Sequence, residues 1–234
     1  MRTRRLGGLS LGERPLVVAA GGEGEIEALA TADGADVVEL RADLFADPET
    51  AAVGAILARL RAGGRPIIFT ARAAAEGGKP LDEARRRALY DAGLAYVDAV
   101  DVEIASTALI ADLVPRARAA GRLVILSAHV LDGTPPASAL LPLVEQAQAL
   151  GADVTKLVTH ARGLDDLRTL LEVTLAARAR GIVTLAMGPA VGPLSRVVLP
   201  AAGSLLTYGH LGRETAPGQL PVGELAALVR RLYP

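Results

Sequence analysis

The chain has 234 residues, of which 51% are hydrophobic, 22% are charged and 3% are aromatic, and its formal net charge is −1. This length supports a large buried core, whereas the near-neutral charge argues against nucleic-acid binding, which needs an excess of basic residues. The chain contains no cysteine, which excludes a disulfide-stabilised scaffold. No apolar run approaches the ~20 residues that span a bilayer, and no apolar segment follows the basic N-terminus as in a secretory signal. The composition therefore predicts a soluble, cytoplasmic globular protein.

Short β-branched or apolar runs alternate with longer segments rich in Ala, Leu and Arg along the whole chain. The predicted strands cover residues 16–20, 36–41, 66–70, 96–103, 122–127, 153–158, 182–187 and 204–208. The predicted helices cover residues 25–31, 48–61, 81–92, 107–119, 138–150, 164–180, 194–201 and 222–232. Strict alternation of strand and helix indicates parallel strands joined by right-handed crossovers.

Eight such units in a chain of this length fit an α/β fold of the (β/α)8 (TIM) barrel type. No linker separates two complete units, so a single domain over residues 1–234 is expected. The main alternative is a doubly wound open sheet. The turn after the first predicted strand, residues 20–24 (AGGEG), does not complete the dinucleotide-binding fingerprint of such sheets.

Polar residues at the carboxyl ends of the predicted strands are the candidates for chemistry, because barrel enzymes place their active sites there. The chain has only two lysines, Lys79 and Lys156. Lys79 lies between Gly78 and Pro80 and is interpreted as an exposed loop charge. Lys156 lies within the sixth predicted strand, where a lysine, unlike an arginine, can become a neutral nucleophilic amine.

A histidine and a glutamate complete the candidate set, since His129 ends the fifth predicted strand and Glu76 lies in the loop after the third. A nucleophilic amine, a proton shuttle and a carboxylate that orients the shuttle are the parts that an imine-forming enzyme needs. Taken alone, His129 is equally consistent with a buried structural histidine. His160 and His210 are interpreted as loop residues without a partner.

Three arginines, Arg41, Arg72 and Arg196, also follow strand ends. In the mouth of a barrel they are expected to lie near Lys156, to favour its neutral form and to attract an anionic substrate rich in oxygen. Glu39 shares a strand face with Arg41, because side chains alternate along a strand.

Other chemistries find less support. Asp101 and Glu103 share a face of the fourth strand, and a structural ion-pair role is weighed equally with a functional one. No pair of histidines stands at metal-ligand spacing with a carboxylate, so no metal site is expected. No G-x-S-x-G turn offers a nucleophilic serine.

An ordered set of motifs resembles the type I 3-dehydroquinate dehydratase family over essentially the whole chain. These motifs are residues 39–43 (ELRAD), 70–72 (TAR) with 76–78 (EGG), 127–129 (SAH), 152–156 (ADVTK), 187–188 (MG), 195–196 (SR), 203–204 (GS) and 215–219 (TAPGQ). The resemblance implies a (β/α)8 barrel, commonly dimeric, that needs no cofactor. It also implies dehydration of 3-dehydroquinate to 3-dehydroshikimate, a step of the shikimate pathway to chorismate and the aromatic amino acids.

The resemblance assigns roles by motif. Lys156 resembles the lysine that forms a Schiff base with the substrate ketone, His129 the general acid and base, and Glu76 the carboxylate that holds this histidine. Segment 209–219 resembles a loop that folds over the site. The residues that resemble the family's substrate-binding positions are Arg196 and Gln219 for the carboxylate, Glu39, Arg41 and Arg72 for the ring hydroxyls, and Thr215 in the covering loop.

The chain also departs from the family pattern. Thr215 stands where serine is frequent, Ala128 replaces an aromatic residue, and the stretch from Met187 to Arg196 is about one residue longer. The short N-terminus predicts that the hairpin at the barrel base is reduced or missing. Two alternatives stay open: another Schiff-base barrel such as a class I aldolase, and a catalytically silent barrel that binds a shikimate-type ligand.

Overall fold

The computed structural model describes residues 4–234. The strands are β1 (Arg5–Leu6), β2 (Leu9–Ser10), β3 (Leu16–Gly21), β4 (Val37–Arg41), β5 (Ile67–Thr70), β6 (Ala99–Glu103), β7 (Leu123–Val130), β8 (Val154–His160), β9 (Ile182–Met187), β10 (Leu206–His210) and β11 (Leu220–Pro221). The α-helices are α1 (Ile26–Thr31), α2 (Thr50–Ala62), α3 (Glu83–Gly93), α4 (Thr107–Ala119), α5 (Ala137–Ala149), α6 (Leu164–Ala177), α7 (Gly192–Ala202) and α8 (Val222–Leu232).

Strands β3 to β10 form a parallel barrel. Their order around the sheet follows the chain from β3 to β9, and β10 returns to pair with β3. Between the starts of β9 and β10, the Leu205 N–H donates to the Ile182 carbonyl at 2.9 Å. The short strand β11 pairs with the end of β10. The (β/α)8 prediction is confirmed, because an open doubly wound sheet would reverse its strand order midway.

The alternation of side chains along the strands divides the core into an inner and an outer part. Along β3, Val17 and Ala19 pack outwards with residues of α1 and α8, whereas Val18 and Ala20 fill the barrel interior. Hydrophobic side chains therefore occupy both faces of this strand, as parallel strands buried on two sides require.

A short N-terminal hairpin with strands of two residues covers the base of the barrel, so the hairpin is reduced rather than missing. Strands β1 and β2 pair antiparallel around Gly7 and Gly8, and Leu6 is fully buried in the interior cluster. Six residues suffice because the turn is only two residues long. Gly7 has a φ of +57°, and a Cβ there would lie 2.9 Å from the Pro66 side chain.

Three strands extend beyond their predicted ends and change the position of the histidines. Strand β7 reaches Val130, so His129 lies within a strand. His160 and His210 are the last residues of β8 and β10, so their interpretation as loop residues is wrong. Helix α6 stops at Ala177 and continues as a 3-10 turn. Among residues 4–234, no helix combines the length and the apolar character that crossing a membrane requires.

Candidate active site

A cavity of about 170 Å³ lies at the carboxyl ends of the barrel strands. All nine predicted site residues line it: Glu39, Arg41, Arg72, Glu76, His129, Lys156, Arg196, Thr215 and Gln219. Apolar side chains complete the wall, among them Val158, Leu185 and Met187. A small cavity that combines an apolar wall with convergent charged groups is typical of a site for a small polar ligand.

Lys156 lies at the floor of this cavity. Val154 and Val158 on either side of it point into the barrel interior, and the period of two along β8 directs Lys156 the same way. Its Nζ donates to Asp101 Oδ2 at 2.8 Å and lies 3.9 Å from Glu39 Oε1. The same nitrogen lies 4.3 Å from the centre of the Tyr208 ring. The amine is thus enclosed by two carboxylates and an aromatic face.

The arginines expected near this amine line the same cavity, and two of them have carboxylate partners of their own. Arg72 pairs with Asp101 at 3.0 Å and with Glu103 at 2.9 Å. Arg41 pairs with Asp43 at 2.8 Å. Burial alone would raise the pKa of Asp101, but Arg72 and Lys156 hold that pKa well below its usual range. Asp101 therefore connects the Lys156 amine to the Arg72 guanidinium.

His129 and Glu76 meet across the cavity mouth. Glu76 Oε2 accepts from the His129 backbone N–H at 2.9 Å and lies 2.8 Å from the His129 Nδ1. Burial, together with the charges of Arg72 and Lys156, lowers the pKa of His129 well below its ordinary value. Burial raises the pKa of Glu76 to about 7, although Arg72 opposes this shift. The imidazole is therefore neutral at neutral pH, as a general base must be.

Arg196 carries a buried charge without an acidic partner in contact. Its Nη1 donates to the carbonyls of Ala186 and Gly192 and to Ser195 Oγ. Its Nε has no hydrogen-bond partner among the described residues. Burial lowers the pKa of Arg196 to about 10, and only the charge of Glu214 acts in the opposite direction. A buried cation in this state is stabilised by an anion that enters the cavity.

The segment after β10 folds over the cavity. Gln219 Oε1 accepts from the Thr215 N–H at 2.8 Å and the Thr215 hydroxyl at 3.1 Å, which closes the segment into a tight loop. The Gly188 N–H donates to the Pro217 carbonyl at 3.0 Å and ties this loop to the end of β9. Gly218, with a φ of +82°, packs so closely that a Cβ would lie 2.4 Å from the Gly188 carbonyl oxygen. The loop thus lies closed on the barrel.

Two residues of the site were not assigned from the sequence. For Asp101 the sequence did not distinguish a structural from a functional role, although its carboxylate contacts the Lys156 amine. Tyr208 was missed altogether, although it lines the cavity and its buried hydroxyl has no partner among the described residues. The signal for Tyr208 was the alternation along β10, since Leu206 and Tyr208 both point into the interior.

Fold and site together define the class of the protein. A lysine amine and a neutral histidine face the same small cavity of a closed barrel. The buried guanidinium of Arg196 in this cavity can bind an anion. This is the arrangement of a (β/α)8-barrel enzyme that acts on a small anionic carbonyl compound through a Schiff base.

Comparison with known proteins identifies the family. Residues 17–233 match the family described as Type I 3-dehydroquinase. A 3-dehydroquinate dehydratase of Methanococcoides burtonii is 32% identical over 226 residues, which cover 94% of this chain and 96% of that protein. The crystal structure of 3-dehydroquinate dehydratase from Geobacillus kaustophilus matches with a TM-score of 0.90 at 30% identity, covering 98% of this chain and 95% of that one.

A second solved structure matches almost as well. Type I 3-dehydroquinate dehydratase from Clostridium difficile, determined with covalently modified comenic acid, has a TM-score of 0.87 at 28% identity and covers 99% of this chain and 98% of that one. The chain belongs to the type I 3-dehydroquinase family. It is accordingly a hydro-lyase, a 3-dehydroquinate dehydratase of the shikimate pathway, and the resemblance found in the sequence is confirmed.

Proposed function

We propose that Lys156 forms the Schiff base with 3-dehydroquinate, that His129 transfers the protons and that Glu76 orients His129. The observation that carries this assignment is the pairing of a neutral imidazole with a carboxylate in the same cavity as the amine. The reaction needs a nucleophile for the ketone and a base for the adjacent C–H bond, and these two side chains supply them.

The chemistry balances in four steps. The amine attacks the ketone, the C–N bond forms, and the ketone oxygen leaves as water to give an iminium. His129 then removes a proton from the adjacent carbon, and the electron pair moves to the nitrogen as an enamine. The enamine expels the ring hydroxyl, which takes the proton from His129 and departs as water. Hydrolysis of the resulting iminium releases 3-dehydroshikimate and restores Lys156.

Substrate binding divides between two sides of the cavity. We propose that Arg196 and the side-chain amide of Gln219 hold the substrate carboxylate, because Arg196 is the buried cation without an acidic contact. Glu39, Arg41 and Arg72 are proposed to bind the ring hydroxyls, and their own ion pairs keep them in place. Thr215, in the loop that covers the cavity, completes the enclosure.

The domain organisation, cellular location and oligomeric state are also proposals, and they rest on the family. We propose that the chain folds as a single catalytic domain over residues 1–234, works in the cytoplasm and forms a homodimer. The reaction as written uses only side chains of the protein, so no cofactor or metal ion is assigned to it.

Borohydride trapping tests the assignment of Lys156. Addition of borohydride with 3-dehydroquinate should inactivate the protein and leave a mass adduct on Lys156, because reduction makes the C–N bond permanent. K156R should lose both turnover and adduct, since arginine cannot form the imine. K79R, which changes the other lysine of the chain, should retain both. An adduct on Lys79, or turnover by K156R, would contradict the assignment.

A further inference from the structure

Asp101 occupies a position that the reaction steps above do not use. Its carboxylate is fully buried and lies between three side chains. Oδ2 accepts from Lys156 Nζ at 2.8 Å and pairs with Arg72 Nη2 at 3.0 Å, while Oδ1 accepts from the Ser127 hydroxyl at 2.6 Å. Arg72 also pairs with Glu103, which is shared with Arg86.

The position of this carboxylate is fixed before any substrate enters. Ser127 and Arg72 hold it from two sides, and Ser127 also accepts from Arg72 Nη1 at 2.7 Å. A charge held in this way does not need to reorganise when the reaction changes the neighbouring group, which is the basis of electrostatic preorganisation. Because Arg72 and Lys156 hold its pKa well below the usual range, Asp101 stays ionised and does not act as a base.

The charge balance of imine formation explains why such an anion is useful. An ammonium group and a ketone give an iminium and one water molecule, so the positive charge on the nitrogen is the same before and after the step. A fixed negative charge beside this nitrogen therefore stabilises both the resting lysine and the iminium. Without that anion the resting lysine can lose its proton and become neutral, whereas the iminium must keep its positive charge to react, so loss of the anion acts against the iminium. The ring of Tyr208 and the carboxylate of Glu39 reinforce the same preference from two further directions.

We propose that Asp101 is the counter-ion of the Lys156 nitrogen and stabilises the iminium intermediate. This proposal rests on the assignment of Lys156 as the Schiff-base residue. Asp101 touches the reacting nitrogen and acts by its charge, while the protons are moved by His129. The iminium is the species from which the adjacent proton is lost, so the rate of dehydration depends on its population.

The D101N variant tests the role of the charge. With saturating 3-dehydroquinate, the fraction of protein that borohydride traps should fall at least tenfold relative to the wild type, and kcat should fall with it. Binding of quinate, in which a hydroxyl replaces the ketone, should change less than threefold because no iminium forms. S127A removes a hydrogen bond from the same carboxylate but no charge, and its trapped fraction should stay within threefold of the wild type.

Several results would overturn the proposal. They are wild-type trapping by D101N, equal losses in D101N and S127A, and a loss of quinate affinity in D101N as large as the loss of trapping. The last result would mean that Asp101 shapes the cavity. Failure of wild-type protein to form an adduct on Lys156 is a separate result, and it would refute the Schiff-base assignment itself.

A measurement on the folded wild-type chain keeps the proposal testable if D101N does not fold. Protein labelled with ¹³C at the lysine Cε should give two signals, from Lys79 and Lys156, and K79R identifies which is which. The Lys156 signal of the free protein at neutral pH should be that of a charged amine. A neutral amine would need no counter-ion, so that result would overturn the proposal.

Discussion

At the scale of the residue, His129 and Glu76 depend on each other for their protonation states. The buried imidazole stays neutral because its pKa is lowered by burial and by Arg72 and Lys156. The pKa of Glu76 is raised by burial to about 7, so this carboxyl titrates in the working range. When Glu76 is ionised it accepts from Nδ1–H, which leaves the lone pair on Nε2. When Glu76 is protonated it donates to Nδ1, and the proton of the imidazole moves to Nε2. The Nε2 atom then has no lone pair with which to accept a proton from the substrate.

The pH profile of kcat/KM should therefore report Glu76. Activity should be full well above pH 7 and should be about half lost near pH 7, since protonation of Glu76 places the imidazole proton on the wrong nitrogen. In E76Q this inflection should disappear, because an amide does not titrate. The kcat of E76Q should be lower than that of the wild type by roughly 10²-fold or more. The same inflection in E76Q would show that another group controls the profile. Steady-state assays of the ultraviolet absorbance of the conjugated product provide the measurement.

Residue types were easier to predict than their partners. The sequence showed that Lys156 lies on a strand and that charged residues gather at strand ends. It did not show that Arg72 pairs with Asp101 and Glu103, because the partners of a long side chain are determined only once the barrel has placed the strands.

At the scale of the element, strand and helix positions followed from local patterns, whereas strand ends and the hairpin did not. Helices α4 and α8 have their predicted limits, since apolar periodicity continues through them. Strand β7 was predicted too short because the polar residues Ser127 and His129 interrupt its apolar run, although both still pair with β8. The β1–β2 hairpin was missed because two strands of two residues carry no periodic signal.

The covering loop offers a prediction at this scale. G218A should raise the KM for 3-dehydroquinate at least tenfold, because its Cβ would lie 2.4 Å from the Gly188 carbonyl oxygen and would push the loop off the cavity. Gly212 is the matched control, since it also has a positive φ, of +99°, but has nothing within 4 Å of a Cβ. Both substitutions place a side chain in a left-handed conformation at a cost of about 1–2 kcal/mol. Equal KM values for G218A and G212A would show that closure of the loop does not depend on this contact.

At the scale of the whole molecule, repetition made the barrel predictable. Each strand–helix unit carries the same pattern, so the closed arrangement follows from the count of units and the handedness of the crossovers. The site is predictable to the same extent, since the barrel gathers the ends of all its strands at one face. Contacts between separate copies of the chain do not follow from this repeated pattern. The interface of the proposed homodimer must therefore be located from the exposed side chains.

Three of the six most exposed large hydrophobic side chains of the described residues lie on the neighbouring helices α6 and α7. They are Leu164, Leu175 and Leu194, which are 69%, 46% and 42% exposed. Leu164 and Leu175 are separated by three helical turns and share one face of α6. A homodimer that uses this surface removes these side chains from water, at about 25 cal/mol per Å² of apolar area.

Sedimentation equilibrium tests this surface. The wild-type protein should have twice the 24.0 kDa mass of the chain. L175E should shift it towards the monomer, because a carboxylate buried at an interface without a partner is unfavourable. L232E changes a leucine on α8 that is 55% exposed and lies outside this surface, so it should leave the dimer intact. A monomeric wild type would refute the homodimer, whereas dissociation by L232E with a stable L175E would place the interface at helix α8.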